Sequence, residues 1–264
     1  KKYEIFALSR KSQLTKPQNK IKFVLYKNIN SFLKKNKIHC IVHTAAISPS
    51  VGVSVEDYIE SNINLTNFLI NRSIYYGVKN FIFLSSLSIY GTIKDNYVDE
   101  ETNINNPGNY GISKLICENL IIDKSNKINF SIIRLPGVIG KNSVRNWLTN
   151  KLKEIKNNKN IVIYNPSHKF NNLIHVLDLC NFIKKFIKLN KLNNDILCIS
   201  SSEKITIKDI ISKLIFLNKS SSKIIIKKNL TKSFYIKNSK IKNKYNYKPM
   251  KTLDAIQCFS NEND

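Results

Sequence analysis

The sequence predicts an α/β fold, a parallel sheet with helices on both faces followed by a small carboxyl-terminal lobe. Three observations predict it. Short apolar runs of strand length, such as residues 40–44 (CIVHT), 81–84 (FIFL) and 130–135 (FSIIRL), alternate with longer stretches whose apolar residues recur at helical spacing. The chain of 264 residues is long enough for one large α/β domain with a lobe attached and for a sizeable core. No long Pro, Gly or Ser linker and no repeat of solenoid period interrupts it, so residues 1–164 are expected to form the core and 165–264 mainly the lobe, interleaved in one unit.

The elements follow in order. Residues 3–8 read as a strand ending at Ser9-Arg10-Lys11, and 23–26 as the next strand. Residues 31–37 make a short helix, and 40–44 a buried strand that runs into Thr44-Ala45-Ala46. Residues 56–76 carry Tyr58, Ile59, Ile63, Leu65, Phe68 and Leu69 at helical spacing. The run 81–84 ends in serines at 85, 86 and 88, and Tyr110 opens an amphipathic helix. Further on come a strand at 130–135, a basic helix at 146–157, a strand at 161–164, a helix at 179–189 and a strand at 196–200. Thr206 is placed to cap a helix whose Ile207, Ile210, Ile211, Leu214 and Ile215 share one face.

Composition excludes some classes. No apolar run approaches the about 18 residues needed to span a bilayer. The first ten residues have only a short apolar core and no small-residue cleavage pattern, unlike a signal peptide, so a cytoplasmic location is expected. The five cysteines (Cys40, Cys117, Cys180, Cys198, Cys258) are widely spaced with no C-x-x-C pair, and are expected to be reduced core residues rather than metal ligands. The net charge of +25, from 43 Lys and Arg against 18 Asp and Glu, would suit a nucleic-acid partner if it were clustered. The lysines are instead spread along the chain among Asn and Ile, the pattern an AT-rich coding bias produces, and a nucleic-acid partner is disfavoured. A basic surface would still attract an anionic substrate.

The chemistry centres on Tyr110-x-x-x-Lys114. Four residues is about one helical turn, so phenol and ammonium share a face. A cation beside the phenol would favour the phenolate, bringing a group of pKa about 10 toward neutral pH. A hydroxyl at the strand end, Ser86, could hydrogen-bond the same substrate oxygen. The spacing alone also describes an ordinary surface pair. Together, however, the serine-rich strand end, the Tyr90-Gly91 turn, the Pro107-Gly108 loop and Tyr110-x-x-x-Lys114 resemble the extended short-chain dehydrogenase/reductase family of sugar-nucleotide epimerases, reductases and dehydratases.

That resemblance implies a Rossmann-type core in which Ser86, Tyr110 and Lys114 are catalytic. It implies cofactor contacts from Ser9 and Arg10 at the adenosine ribose, from Asn28 and Ile29 at the adenine, from Thr44, Ala45 and Ala46, whose small side chains let cofactor phosphate or ribose approach the backbone, from Asn62 in support of the active site, from Tyr110 and Lys114, and from Pro136 and Val138 over the nicotinamide. Arg10 where an acidic residue would bind a ribose hydroxyl favours NADP over NAD. Asn62 begins an N-I-N-L-T segment similar to the family's N-V-x-G-T, with Leu65 in place of Gly; it could equally be a surface amide. Ser86, Ser88 and Gly137 fall on the substrate side, and Gly137 lacks the Asn side chain common in relatives. His175 is expected to be structural, beside a capping Asp178.

One part of the family pattern is missing. Seven glycines form no G-x-x-G-x-x-G turn, and the strand at 3–8 matches the family's second strand. The expectation is a truncated reading, short of its first strand, turn and helix by roughly 30 residues, with a gap in the sheet and two unpaired edges, weak dinucleotide affinity and little activity in isolation; a natural protein that works without this unit is the alternative. The intact protein is expected to be an NAD(P)-dependent epimerase or 4-keto reductase of a nucleotide-linked sugar, in surface-polysaccharide precursor synthesis, with a homodimer formed through a helix pair. A 4,6-dehydratase is disfavoured because Leu87-Ser88 stands where those enzymes carry Asp-Glu. A non-catalytic relative and a reductase of another carbonyl compound remain as alternatives.

Overall fold

The computed structural model describes residues 3–10, 21–144, 146–189, 191–227 and 233–263. Lys11, of the expected Ser9-Arg10-Lys11 turn, lies outside the described residues. Strands β1 (Ile5–Ser9) and β2 (Ile21–Leu25) pair in parallel and lead to α1 (Ile29–Lys35) and β3 (Cys40–His43). The helical run expected over 56–76 is present as α2 (Val55–Tyr58), a π-helical stretch (Ile59–Asn64) and α3 (Leu65–Tyr75). Next come β4 (Asn80–Ser86), β5 (Tyr97–Val98), α4 (Asn109–Ile122), β6 (Asn129–Leu135), β7 (Gly137–Ile139), α5 (Trp147–Lys156) and β8 (Ile161–Tyr164). The second half holds β9 (Lys169–Phe170), β10 (Leu173–His175), α6 (Val176–Ile187), β11 (Asp195–Cys198), β12 (Ile205–Thr206) and α7 (Ile207–Leu217). It ends with β13 (Ile224–Lys227), β14 (Tyr235–Ile236), α8 (Ser239–Tyr245) and α9 (Thr252–Asn261).

The main sheet has the order β11-β6-β4-β3, with all neighbours parallel. β4 is central because it is apolar on both sides. Phe81 and Phe83 point to one face, where they meet Leu69 and Ile70 of α3 and Cys117 and Ile121 of α4. Ile82 points to the other face and joins Phe182 and Phe186 of α6. This is the alternation a strand imposes when both faces are covered.

β1 and β2 form a separate two-stranded sheet. No strand pairing among the described residues joins it to the main sheet. Among the described residues neither β1 nor β3 has a strand neighbour on its second edge. The smaller pair is held from one side by α1, with the Phe6 and Phe32 rings 4.7 Å apart.

Elements of the second half pack against those of the first. Leu148, Leu152 and Ile155 of α5 pack with Ile210, Ile211 and Leu214 of α7 and Ile256 and Phe259 of α9, joined by Ile139 and Leu173 from β7 and β10. Thr206 caps α7 in a reciprocal box with Asp209. β11, although beyond residue 164, belongs to the main sheet. The pairing of β13 with β8 was not expected, because 224–227 reads as part of an unassigned tail.

Two expectations need correction. His175, fully buried, itself caps α6 by accepting from the Leu177 N–H at 3.3 Å, whereas Asp178 accepts from the Met250 N–H at 2.7 Å and ties α6 to the following loop. Cys117 and Cys198 are buried as expected, but Cys180 is exposed on the outer side of α6. All five thiols are free, and no group of three His, Cys, Asp or Glu among the described residues could hold a metal.

Candidate active site

The site forms where β4 ends. Ser86 leaves the sheet in extended conformation and its Oγ accepts from the Ser88 N–H at 3.1 Å, starting a tight turn over Leu87–Tyr90. That turn finishes at Gly91, whose φ of 63° and contact with the Asn105 carbonyl both require glycine. The first turn of α4 then sits directly on it. A Cβ on Gly111 would lie 2.2 Å from the Ser88 carbonyl oxygen, so only glycine lets helix and turn approach this closely.

The close approach brings Tyr110 to Ser86. Burial pushes the Tyr110 phenol above its ordinary range, and the nearby Ser86 hydroxyl acts to lower it. The ring lies 6.1 Å from that of Tyr58. Tyr110 is thus protonated at neutral pH, a donor beside the hydroxyl expected to share its substrate oxygen. Ser88, exposed, accepts from the Ser86 hydroxyl at 3.1 Å.

Lys114 differs from the expectation. It is 3% exposed, and its Nζ donates to the Leu84 carbonyl at 2.6 Å and lies 4.1 Å from the Phe83 ring centre. Burial lowers its pKa to about 8, while Cys117 and Glu118 act to raise it. The ammonium does not contribute to the Tyr110 pKa, which is raised rather than lowered. The shared helix face stands, but the inference that Lys114 acidifies the phenol is not met in this geometry. The physical reason is that a buried ammonium takes the nearest carbonyl acceptor.

Asn62 is not a surface amide. It is 1% exposed within the π-helical stretch; its Oδ1 accepts from the Ile47 N–H at 2.7 Å, and its Nδ2 donates to the Ile47 carbonyl at 3.2 Å and to Ser113 Oγ at 3.0 Å. Ser113 in turn donates to the Tyr110 carbonyl at 2.8 Å. Asn62 therefore links α4 to the loop after β3, where Thr44, Ala45 and Ala46 are exposed. Leu65, where relatives have Gly, is buried in the core with Leu69 and Phe81.

The remaining expected residues are more dispersed. Ser9 ends β1 half-buried and Arg10 follows it exposed. Asn28 is exposed before α1, but Ile29 is 5% exposed and packs with Leu33 and Leu69, so its side chain faces the core and is not available to an adenine. At the end of β6, Pro136 is half-buried, Gly137 exposed, and Val138 partly buried against the α6 cluster. Gly111, Glu118 and Arg134 are site residues that the sequence reading missed, and Ser85, a neighbour of Ser86 with a weaker claim, is drawn in through Glu118. The signal for Glu118 was its place four residues beyond Lys114; Gly111 could have been found only from its immediate following of Tyr110.

Comparison with known proteins matches this architecture. A stretch of 102 residues is 33% identical to UDP-glucose 4-epimerase of Caenorhabditis elegans, covering 36% of this chain and 28% of that protein. A stretch of 183 residues is 26% identical to dTDP-D-glucose 4,6-dehydratase of Dictyostelium discoideum, covering 63% of this chain and 42% of that protein. The matches thus span less than half the length of these relatives. The crystal structure of UDP-glucuronic acid 4-epimerase from Bacillus cereus in complex with NAD superposes with a TM-score of 0.77 at 23% identity, over 93% of this chain and 81% of that one, and shares its fold. Residues 1–199 match the model of the NAD dependent epimerase/dehydratase family, and the chain belongs to that family.

Proposed function

We propose that this chain carries the catalytic machinery of an NAD(P)-dependent epimerase or 4-keto reductase acting on a nucleotide-linked sugar. The observation that supports it is the placement of Tyr110 beside Ser86 at the tip of β4, with Lys114 one turn further along the same helix. Ser86 would hold the reacting oxygen of the sugar and Tyr110 would give or take its proton. Lys114, once turned from the Leu84 carbonyl, would reach a ribose hydroxyl. The absence of a carboxylate at Leu87-Ser88 favours this chemistry over dehydration, which needs acid-base groups at two carbons.

The residues fit one end of a nicotinamide dinucleotide. The hydroxyls of Ser86 and Tyr110, the Lys114 ammonium and the small exposed side chains Thr44, Ala45 and Ala46 suit the nicotinamide side. Ser9, Arg10 and Asn28 suit the adenosine side, with NADP the better match to Arg10. The glycine-rich turn that would present main-chain N–H groups to the pyrophosphate is not found in the 264 residues. When bound, the nicotinamide supplies the hydride acceptor and donor.

The reading extends to a core over residues 1–164 with a substrate lobe over 165–264, and to a cytoplasmic enzyme supplying surface-polysaccharide precursors. A second copy of the chain would pack on the outer faces of α3 and α4, where Tyr75, Ile112 and Ile116 are exposed. No helix among the described residues is long and apolar enough to cross a membrane. The test is a panel of nucleotide sugars and ketones, with NADPH or NADH absorbance as the readout for reduction and chromatographic separation of the epimeric products as the readout for epimerisation, run with Tyr110→Phe. Sugar-nucleotide turnover that the variant abolishes supports the proposal. Turnover of ketones alone, or salt-sensitive binding of nucleic acid without turnover, overturns it.

A further inference from the structure

Beneath the Tyr110 and Ser86 pair lies a second buried group of charged side chains. Glu118, 1% exposed, stands on α4 four residues after Lys114 and eight after Tyr110, on the same face. Arg134 of β6, 6% exposed, donates to it from Nη2 at 2.8 Å and from Nε to both oxygens at 3.2 and 3.3 Å. Ser85 Oγ also donates to Glu118. The other end of the guanidinium donates from Nη1 to the Tyr90 hydroxyl at 2.7 Å and to the Glu100 carbonyl at 3.2 Å.

Three consecutive residues of β4 thereby meet three residues of α4 spaced a turn apart. Leu84 accepts from Lys114, Ser85 donates to Glu118, and Ser86 lies beside Tyr110. A buried ion pair is a poor source of stability in itself, because desolvating both charges offsets much of their attraction. Its placement under the two reacting side chains points to another use.

We propose that Glu118 is a positioning residue for the reaction: clamped by Arg134 and Ser85, it fixes the Tyr110 and Lys114 face of α4 on the end of β4 and sets a buried counter-charge one turn from the Lys114 ammonium. This rests on Tyr110 and Lys114 being the reacting face. Lys114 is faced by Cys117 and Glu118 from its own helix, by His43 from β3, and by the Phe83 ring and Leu84 carbonyl from β4. Burial pushes the Cys117 thiol up and lowers the His43 imidazole to about 3, so both are neutral near pH 7. Glu118 is then the charge that opposes the cost of burying the ammonium.

The experiment is an NMR pH titration of the full chain labelled at lysine, without cofactor or substrate, with the Lys114 signal assigned by its loss in Lys114→Arg. The expected midpoint is near 8 in the unsubstituted chain. Glu118→Gln lowers it by about one unit, a tenfold fall in proton affinity. Glu118→Asp, a milder change that withdraws the charge by one methylene, lowers it by less. Circular dichroism checks that each variant is folded. If the Gln variant does not fold, the Asp shift alone decides. A midpoint that is unchanged or raised in the folded variants overturns the proposal. Because no turnover is read, its failure is separable from failure of the sugar-nucleotide reading, which the Tyr110→Phe assay tests.

Discussion

The four-stranded sheet and the β1-β2 pair are built from similar apolar strands but are packed differently. In β4, Phe81, Ile82 and Phe83 are fully buried between two helical layers. In the smaller pair, Ile5 is 53%, Leu8 40% and Phe23 42% exposed. Fully burying such a side chain is worth about 1.5–3 kcal/mol, and a two-stranded sheet is marginal without further cover. The residues proposed for proton transfer all belong to the well-packed part, whereas Ser9, Arg10 and Asn28 sit on the sparsely covered one. Rigid placement of the reacting groups and grip on the adenosine end are therefore separable properties of this chain.

Substitutions can break that separation or sharpen it. The largest effect is expected from Gly111→Ala. The added methyl would meet the Ser88 carbonyl at 2.2 Å and push α4 off the serine turn. A displacement of that order costs about a hundredfold in turnover, measured with the best nucleotide sugar, while circular dichroism stays unchanged. Next, Phe83→Ala should cost about 3–5 kcal/mol in urea unfolding. Phe6→Ala, at a half-buried position of β1, should cost well under half as much. Equal losses would show that the two sheets are equally held.

A smaller effect concerns pH. The Lys114 pKa in the fold, about 8, lies below its ordinary 10.5. Between these values the unfolded chain binds more protons, so stability should rise with pH across that window, and the cost of the buried charge is fully present below about pH 8. Lys114→Met removes that dependence, which urea midpoints at pH 7 and pH 10 would show as a smaller rise in the variant. The smallest effect is expected at the adenosine end: Arg10→Ala should shift the NADPH to NADH preference by about tenfold or less and leave thermal stability unchanged.

Much of this was legible locally. The strand tip at Ser86, the shared face of Tyr110 and Lys114, the Thr206 cap and the apolar face of α7 all follow from spacing within one element. What was not legible depends on partners distant in the chain. Arg134 meets Glu118 only because β6 lies beside β4 in register, Ser85 opposite Arg134. Lys114 turns to the Leu84 carbonyl, 30 positions earlier, in place of the phenol on its own helix. The capping by His175 and the burial of Ile29 likewise depend on tertiary environment, which periodicity does not specify.

The Asn62 side chain has a mechanical consequence. With one amide fastened to Ile47 and Ser113, the segment that would form the floor under a ligand and the helix that carries the phenol are riveted into a single body. A molecule pressing on Thr44 to Ala46 would therefore transmit its load to the Tyr110 main chain through three successive hydrogen-bonded links, Ile47 to Asn62, Asn62 to Ser113 and Ser113 to Tyr110.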